Sequence, residues 1–263
     1  MPIILALDTS SACTSIAIAR QDNILAGLVV QSNAERSERL WAETDLLLGE
    51  AGLRIRDIDL FAVCVGPGGF TGIRVGMAAA KGMASAAGHP LIGVSSLEAT
   101  ALGSAPGPLG RERFQVCALI KAYRNDVYSQ LFEIGPAQSN DYNESINALN
   151  EPQISTLEAA LDRLSGVNNL ILAGEPGLRD PELVQARRPR IDGGARWLVS
   201  GPPRLLAVDV ARIAYKKYLN GEAESPGEVR ACYVRPSDAE IKLSQGLVGP
   251  GLAGKLVDPD VAK

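Results

Sequence analysis

The stretch Ile58-Asp59-Leu60-Phe61-Ala62-Val63-Cys64-Val65-Gly66-Pro67-Gly68-Gly69-Phe70-Thr71-Gly72-Ile73-Arg74-Val75-Gly76 decides how this chain is to be read. An apolar run of strand length, Ile58 to Val65, meets a loop of glycines, and a small-residue helix follows from Thr71 to Ala87. Glycine lets a backbone take positive φ and approach a ligand or a second segment closely. Thr71 is placed to cap that helix, whose free N–H groups would attract an anion. The loop is neither a Walker A motif, which needs Gly-Lys-Ser/Thr, nor a GxGxxG fingerprint. A tight strand-to-helix turn that lets the helix lie flush on a sheet accounts for it as well as a phosphate cradle does. Along the helix, Gly72, Gly76, Ala80, Ala84 and Gly88 recur every four residues as a narrow ridge. A glycine inside a helix costs about 1 kcal/mol relative to alanine, so close packing is expected to offset Gly76 and Gly82.

Outward from this stretch the pattern is α/β. Ile3 to Leu7 is a continuous apolar strand, Asp8-Thr9-Ser10-Ser11 a turn, and Thr14 to Arg20 with Ile24 to Val30 an antiparallel hairpin. Ser37 to Glu50 is a helix stopped by Gly52, Leu91 to Val94 a short strand, and Ser95 with Glu98 a capping box opening another helix. After a linker at Ser104 to Gly110, strands at Phe114–Ile120 and Val127–Ile134, a helix at Thr156–Leu164, a strand at Leu170–Ala173 and a helix at Ala207–Leu219 repeat that order in degraded form. Gly135 to Gln153 reads as a loop, and Gly174 to Arg204, rich in Pro, Gly and Arg, receives no assignment. The division is residues 1–104, residues 105–241, and a flexible Gly-rich tail at 242–263 with few apolar anchors.

Composition excludes several functions. With 263 residues, 46% hydrophobic and 21% charged, the chain is globular, and its longest apolar runs fall far short of the ~20 residues that span a bilayer. No basic leader opens it, and four cysteines without a CxxC pair read as buried reduced thiols, so a cytoplasmic location is expected. A net charge of −4 speaks against an unaided grip on nucleic acid. The single histidine, His89, excludes a metal site built on paired histidines and reads as a loop residue beyond a helix end. Asp8-Thr9-Ser10 would suit a hydrated Mg²⁺ and phosphate oxygens, but local sequence favours an ordinary polar hairpin entrance. On the two helices, Leu40, Trp41, Leu48, Ile73 and Met77 exceed what one sheet face needs. They are either core or a protein–protein surface, with Arg74, Ala78, Lys81 and Ser85 a more polar strip beside them.

Leu5-Ala6-Leu7-Asp8-Thr9-Ser10, Val65 to Gly76 and Ile92-Gly93-Val94-Ser95-Ser96-Leu97 resemble the bacterial TsaB (YeaZ) family, with weaker likeness at Asp126-Val127-Tyr128 and Tyr233-Val234-Arg235-Pro236. The resemblance implies the actin-like ATPase (ASKHA) fold, two RNase-H-like halves facing each other. It implies a non-catalytic scaffold, without cofactor, metal or catalytic residue of its own, that binds a TsaD-type catalytic subunit for threonylcarbamoylation of the adenosine next to the anticodon in tRNA. A TsaE-type ATPase would join through the complex, tRNA would be met indirectly, no membrane would be involved, and the chain alone would form a homodimer. The partner interface would comprise Leu40, Trp41, Leu48, Ile73, Met77 and Lys81. Asp8, Thr9, Ser10, Gly66, Gly68, Gly69 and Thr71 would be a vestigial nucleotide loop. The alternative is an ATP-binding ATPase or phosphotransferase of the same fold. Arg36, Ala42, Lys121 and Tyr123 stand where relatives often carry His, Pro, Asp and Arg.

Overall fold

The computed structural model describes residues 1–21, 23–31, 36–105, 113–135, 145–189, 196–203 and 205–234. Strands β1 (Ile3–Asp8), β2 (Cys13–Arg20) and β3 (Asn23–Gln31) form an antiparallel meander, with β1 and β2 in register from Ile3↔Arg20 to Asp8↔Ser15. Helix α1 (Arg36–Glu50) leads to Gly52, whose φ of +67° suits the residue after a helix end. Strand β4 (Leu60–Gly66) returns parallel to β1, α2 (Phe70–Ala87) crosses over, and β5 (Leu91–Ser95) adds parallel to β4. The order is β3-β2-β1-β4-β5. Every residue of β4 is buried, as a central strand covered on both faces must be. Leu5, Leu7, Phe61 and Val63 meet Leu40, Ile73 and Ala80 on one face; Ile4, Ala6, Ala62 and Cys64 share a second core on the other.

After α3 (Ser96–Ser104) the plan repeats. Strands β6 (Phe114–Lys121), β7 (Asp126–Gly135) and β8 (Ser145–Ala148) form the meander, and β9 (Gln153–Thr156) pairs with the other end of β7. Helix α4 (Leu157–Asp162) starts at Thr156, whose hydroxyl accepts from the Ala159 N–H. Strand β10 (Asn169–Ala173), short helices α5 (Glu175–Arg179) and α6 (Pro181–Arg187), strand β11 (Arg196–Ser200) and α7 (Leu206–Leu219) complete it. The order β11-β10-β6-β7-β8 is that of the first sheet with each strand replaced by its counterpart. Two RNase-H-like halves in this α/β arrangement make the actin-like fold.

The halves exchange their last helices. α3 lays Leu97 and Ala101 on the second sheet against Val116 and Ala118, while α7 lays Val210, Ile213 and Ala214 on the first. Residues 1–232 are thereby one compact unit. Beyond α7 the chain returns along the first sheet, where Glu224 and Leu91 exchange backbone hydrogen bonds and the Cys232 N–H donates to the Val65 carbonyl.

Three expectations are corrected. Gly135 to Gln153 is not all loop, since it contains β8. The unassigned stretch after Ala173 holds α5, α6 and β11. Thr71 is not a cap: α2 begins at Phe70 with Gly69 at its N-cap, because the loop turns tightly enough to start the helix early. Most of the linker and the tail from residue 235 lie outside the described residues.

Candidate functional site: an inter-half cleft and a two-helix face

The turn after β1 and the glycine loop after β4 lock together. Asp8 Oδ1 accepts from the Ser10 N–H (2.9 Å) and the Ser10 hydroxyl (2.6 Å), an Asx-type turn. The Thr9 hydroxyl donates to the Gly72 carbonyl (2.6 Å), and the Gly69 N–H donates to the Ser10 carbonyl (2.7 Å). A Cβ on Gly68 would lie 2.5 Å from the Ser10 carbonyl oxygen, and one on Gly76 2.2 Å from Thr9 Oγ1. The glycines serve close approach between protein segments. The small-residue ridge of α2 accordingly faces inward, with Gly72, Gly76, Ala80 and Ala84 all buried.

Above this junction a cleft of about 540 Å³ separates the halves. Asp8, Ser10, Gly69 and Thr71 line one wall; Lys121, Glu175 and Arg179 line the other. Thr9, Gly66 and Gly68 sit behind the wall and are not among its lining residues. Arg179 is held by Glu175 one helical turn earlier, and the Arg74 guanidinium stacks on Phe70 at the cleft edge, 3.8 Å from the ring centre. Sequence reading missed Glu175 and Arg179 as lining residues. Gly174-Glu175-Pro176, a glycine followed by an acidic residue and an early proline, was the available sign of a helix start.

Beneath the cleft floor Cys64 is fully buried beside Asp8. Burial first, and the Asp8 carboxylate second, push its thiol well above the usual range. Burial pushes Cys117 up to about 12. At neutral pH neither carries the thiolate that a nucleophile needs.

The α1–α2 face differs from its sequence reading. Leu40, Leu48, Ile73 and Met77 are not surface residues; all four are buried in the core between these helices and the first sheet, which correct folding of the sheet requires. Lys81 is half-buried, with Nζ 3.5 Å from the Gly227 carbonyl on the returning segment. Trp41 alone of the expected set is well exposed, at 51%, lying beside Gly82 on α2 (3.7 Å from an added Cβ). Other outward residues of the two helices include Ala42 and Asp45 on α1 and Arg74, Ala78 and Ser85 on α2. Leu46, at 60% exposure, was overlooked. His89 follows the left-handed Gly88 at the end of α2, its N–H donating to the Ala84 carbonyl, away from the cleft lining.

The family model described as TsaD, tRNA N6-adenosine threonylcarbamoyltransferase, matches residues 27–160, about half of the chain. The TsaB tRNA threonylcarbamoyladenosine biosynthesis protein of Bacillus subtilis is 32% identical over 132 residues, 49% of this chain and 55% of that protein. The chain belongs to the TsaB (YeaZ) family. A tRNA N6-adenosine threonylcarbamoyltransferase of Thermodesulfovibrio yellowstonii is 38% identical over 111 residues, 36% of this chain and 33% of that one. The matched stretch thus spans a third to about half the length of these curated relatives. The solved YeaZ structure from Pseudomonas aeruginosa superposes with a TM-score of 0.69 at 25% identity, covering 89% of this chain and all of that one. No described helix is long and apolar enough to cross a membrane.

Proposed function

We propose that this chain is a non-catalytic scaffold in tRNA threonylcarbamoyladenosine synthesis, and that it binds a TsaD-type catalytic subunit through the α1–α2 face. The observation that carries the reading is Trp41, exposed on α1 beside Gly82 of α2. A half-exposed tryptophan beside a glycine is the kind of anchor that dominates interface energetics. The names of the relatives place TsaB and threonylcarbamoyltransferase proteins in one biosynthesis. The chain would act by selecting the catalytic subunit's active arrangement, which requires that it bind that arrangement more tightly than the others. A TsaE-type ATPase would join through the complex, tRNA would be reached indirectly, and the free chain would pair with itself through the same face, in the cytoplasm.

The competing reading, an ATPase using Asp8 and the glycine loop, is disfavoured by how those groups are already engaged. Asp8 Oδ1 is bound twice by Ser10, and the Gly69 N–H is spent on the Ser10 carbonyl. Reconstitution with the catalytic subunit tests both readings. Trp41→Asp is expected to abolish complex formation and tRNA modification, while Asp8→Asn leaves the complex intact. Modification that survives Trp41→Asp, or micromolar ATP–Mg²⁺ binding lost in Asp8→Asn, overturns the scaffold reading.

A further inference from the structure

Among the described residues the edge strands are not protected alike, and β9 is as short as four residues. The outer side of β5 is met by Glu224, β8 has four residues, and β11 has five and opens on Arg196. Strand β3 runs nine residues, Asn-Ile-Leu-Ala-Gly-Leu-Val-Val-Gln, with no charge and no proline. Among the described residues its one strand neighbour is β2. Natural proteins blunt such an edge with a lysine, a proline, a bulge or a cover, because a free row of N–H and C=O groups templates another strand. The device present here is a bulge at Leu25, where the pairing steps from Ile18↔Ala26 to Ala19↔Ile24. It leaves Ala26 to Gln31 regular, with Val29 39% exposed.

We propose that β3 is a self-association edge, on which a second copy of this chain docks its own β3 antiparallel about a two-fold axis. An uncharged strand meets itself without like-charge repulsion, which any single lysine or glutamate near the axis would impose. The helix above it is complementary as well. α1 packs on β3, and its flank away from Trp41 carries Arg39, Glu43, Leu46 and Glu50 at helical spacing. A two-fold axis normal to the sheet sets the two α1 helices side by side and antiparallel. Arg39, which is paired with Glu43 of its own helix at 3.4 Å and is about half exposed, then faces the acidic end at Glu50 of the other, with the exposed Leu46 side chains between them. The six regular residues Ala26 to Gln31 make a seam about 20 Å long; with the helix layer about 10 Å above the sheet, each copy covers roughly 400 Å². That lies below the ~800 Å² per partner of a standard interface, so the dimer is reversible and concentration-dependent. The contact leaves the Trp41 side of α1 free, so it operates whether or not a partner occupies the α1–α2 face.

Sedimentation equilibrium of the full chain carrying Trp41→Asp, over a wide concentration series, isolates this edge from the α1–α2 face. The expected result is a dimer whose dissociation constant rises roughly tenfold or more when Val29→Lys or Leu46→Lys is added, with an unchanged thermal melt. Amide exchange at Gly27 to Val30 should slow as the chain is concentrated, a change that a purely structural role for β3 does not produce. A Trp41→Asp chain that stays monomeric throughout overturns the proposal, as does a dimer indifferent to both lysines. Neither result touches the assignment of the α1–α2 face, which is read by binding of the catalytic subunit.

Discussion

The cleft and the α1–α2 face are built in opposite ways. In the cleft wall the conspicuous polar residues are spent on the protein itself: Asp8 on Ser10, Thr9 on the Gly72 carbonyl, Arg179 on Glu175. On the face the apolar residues divide, with Leu40, Leu48, Ile73 and Met77 packed inward and Trp41 left beside Gly82 in solvent. Polar groups that satisfy each other rigidify a junction, whereas an exposed aromatic beside a glycine offers apolar area to a partner. The difference teaches that a loop of ligand-binding appearance can be a strut, and that a helix pair rich in apolar residues can owe its surface to one of them.

The strut can be broken directly, with the largest expected effect. Gly76→Val forces a side chain onto Thr9 Oγ1 and should cost about 3 kcal/mol in urea unfolding, separating α2 from the β1 turn. A negligible change would mean that the loop and turn do not hold each other. Equal to it in size is the contrast within the face. Ile73→Ala, in the core, should lose about 3 kcal/mol of stability, whereas Trp41→Ala should lose under about 1 kcal/mol yet weaken partner binding by about 2 kcal/mol, or roughly 30-fold. Equal stability losses at the two positions would erase the distinction between core and surface.

The buried thiols give a smaller effect with a definite sign. Because folding raises the Cys117 pKa to about 12 from 9.0, its contribution is fully present below pH 9 and is lost as pH rises toward 12. By pH 10 the unfolded chain gains about 1 kcal/mol from ionising this thiol, so Cys117→Ala should flatten the fall in stability between pH 8 and 10 by that amount. An unchanged slope would contradict the burial of this group. The smallest effect belongs to the far cleft wall: Glu175→Gln breaks an exposed pair and should shift stability by no more than about 1 kcal/mol.

Much of the fold was legible because buried strands and amphipathic helices write their periods into the chain. β1 and β4 are apolar runs, and the small-residue ridge of α2 marks close packing at Gly76, though not at Gly88, which faces open space, nor at Gly82, which is exposed and touches only the Trp41 ring. What stayed illegible is short or tertiary. β8 and β9 have four residues each, and α5, α6 and β11 sit among Pro, Gly and Arg that mask any period. The exchange of α3 and α7 between halves is set by packing across the molecule, which no local pattern encodes. For the same reason the chain alone did not separate Trp41 from Leu40 and Leu48: adjacent positions of α1 are buried and exposed, and only the sheet beneath decides which side is inward.

The central claim, that the α1–α2 face does this chain's work, is tested most directly by titrating the catalytic subunit into wild-type chain and into Gly82→Arg. A Cβ at Gly82 meets only the Trp41 ring at ordinary contact distance, so the arginine is tolerated by the fold while standing in the face. The account predicts a loss of affinity of about 100-fold with the melting temperature unchanged. Equal affinity for the two chains would contradict it.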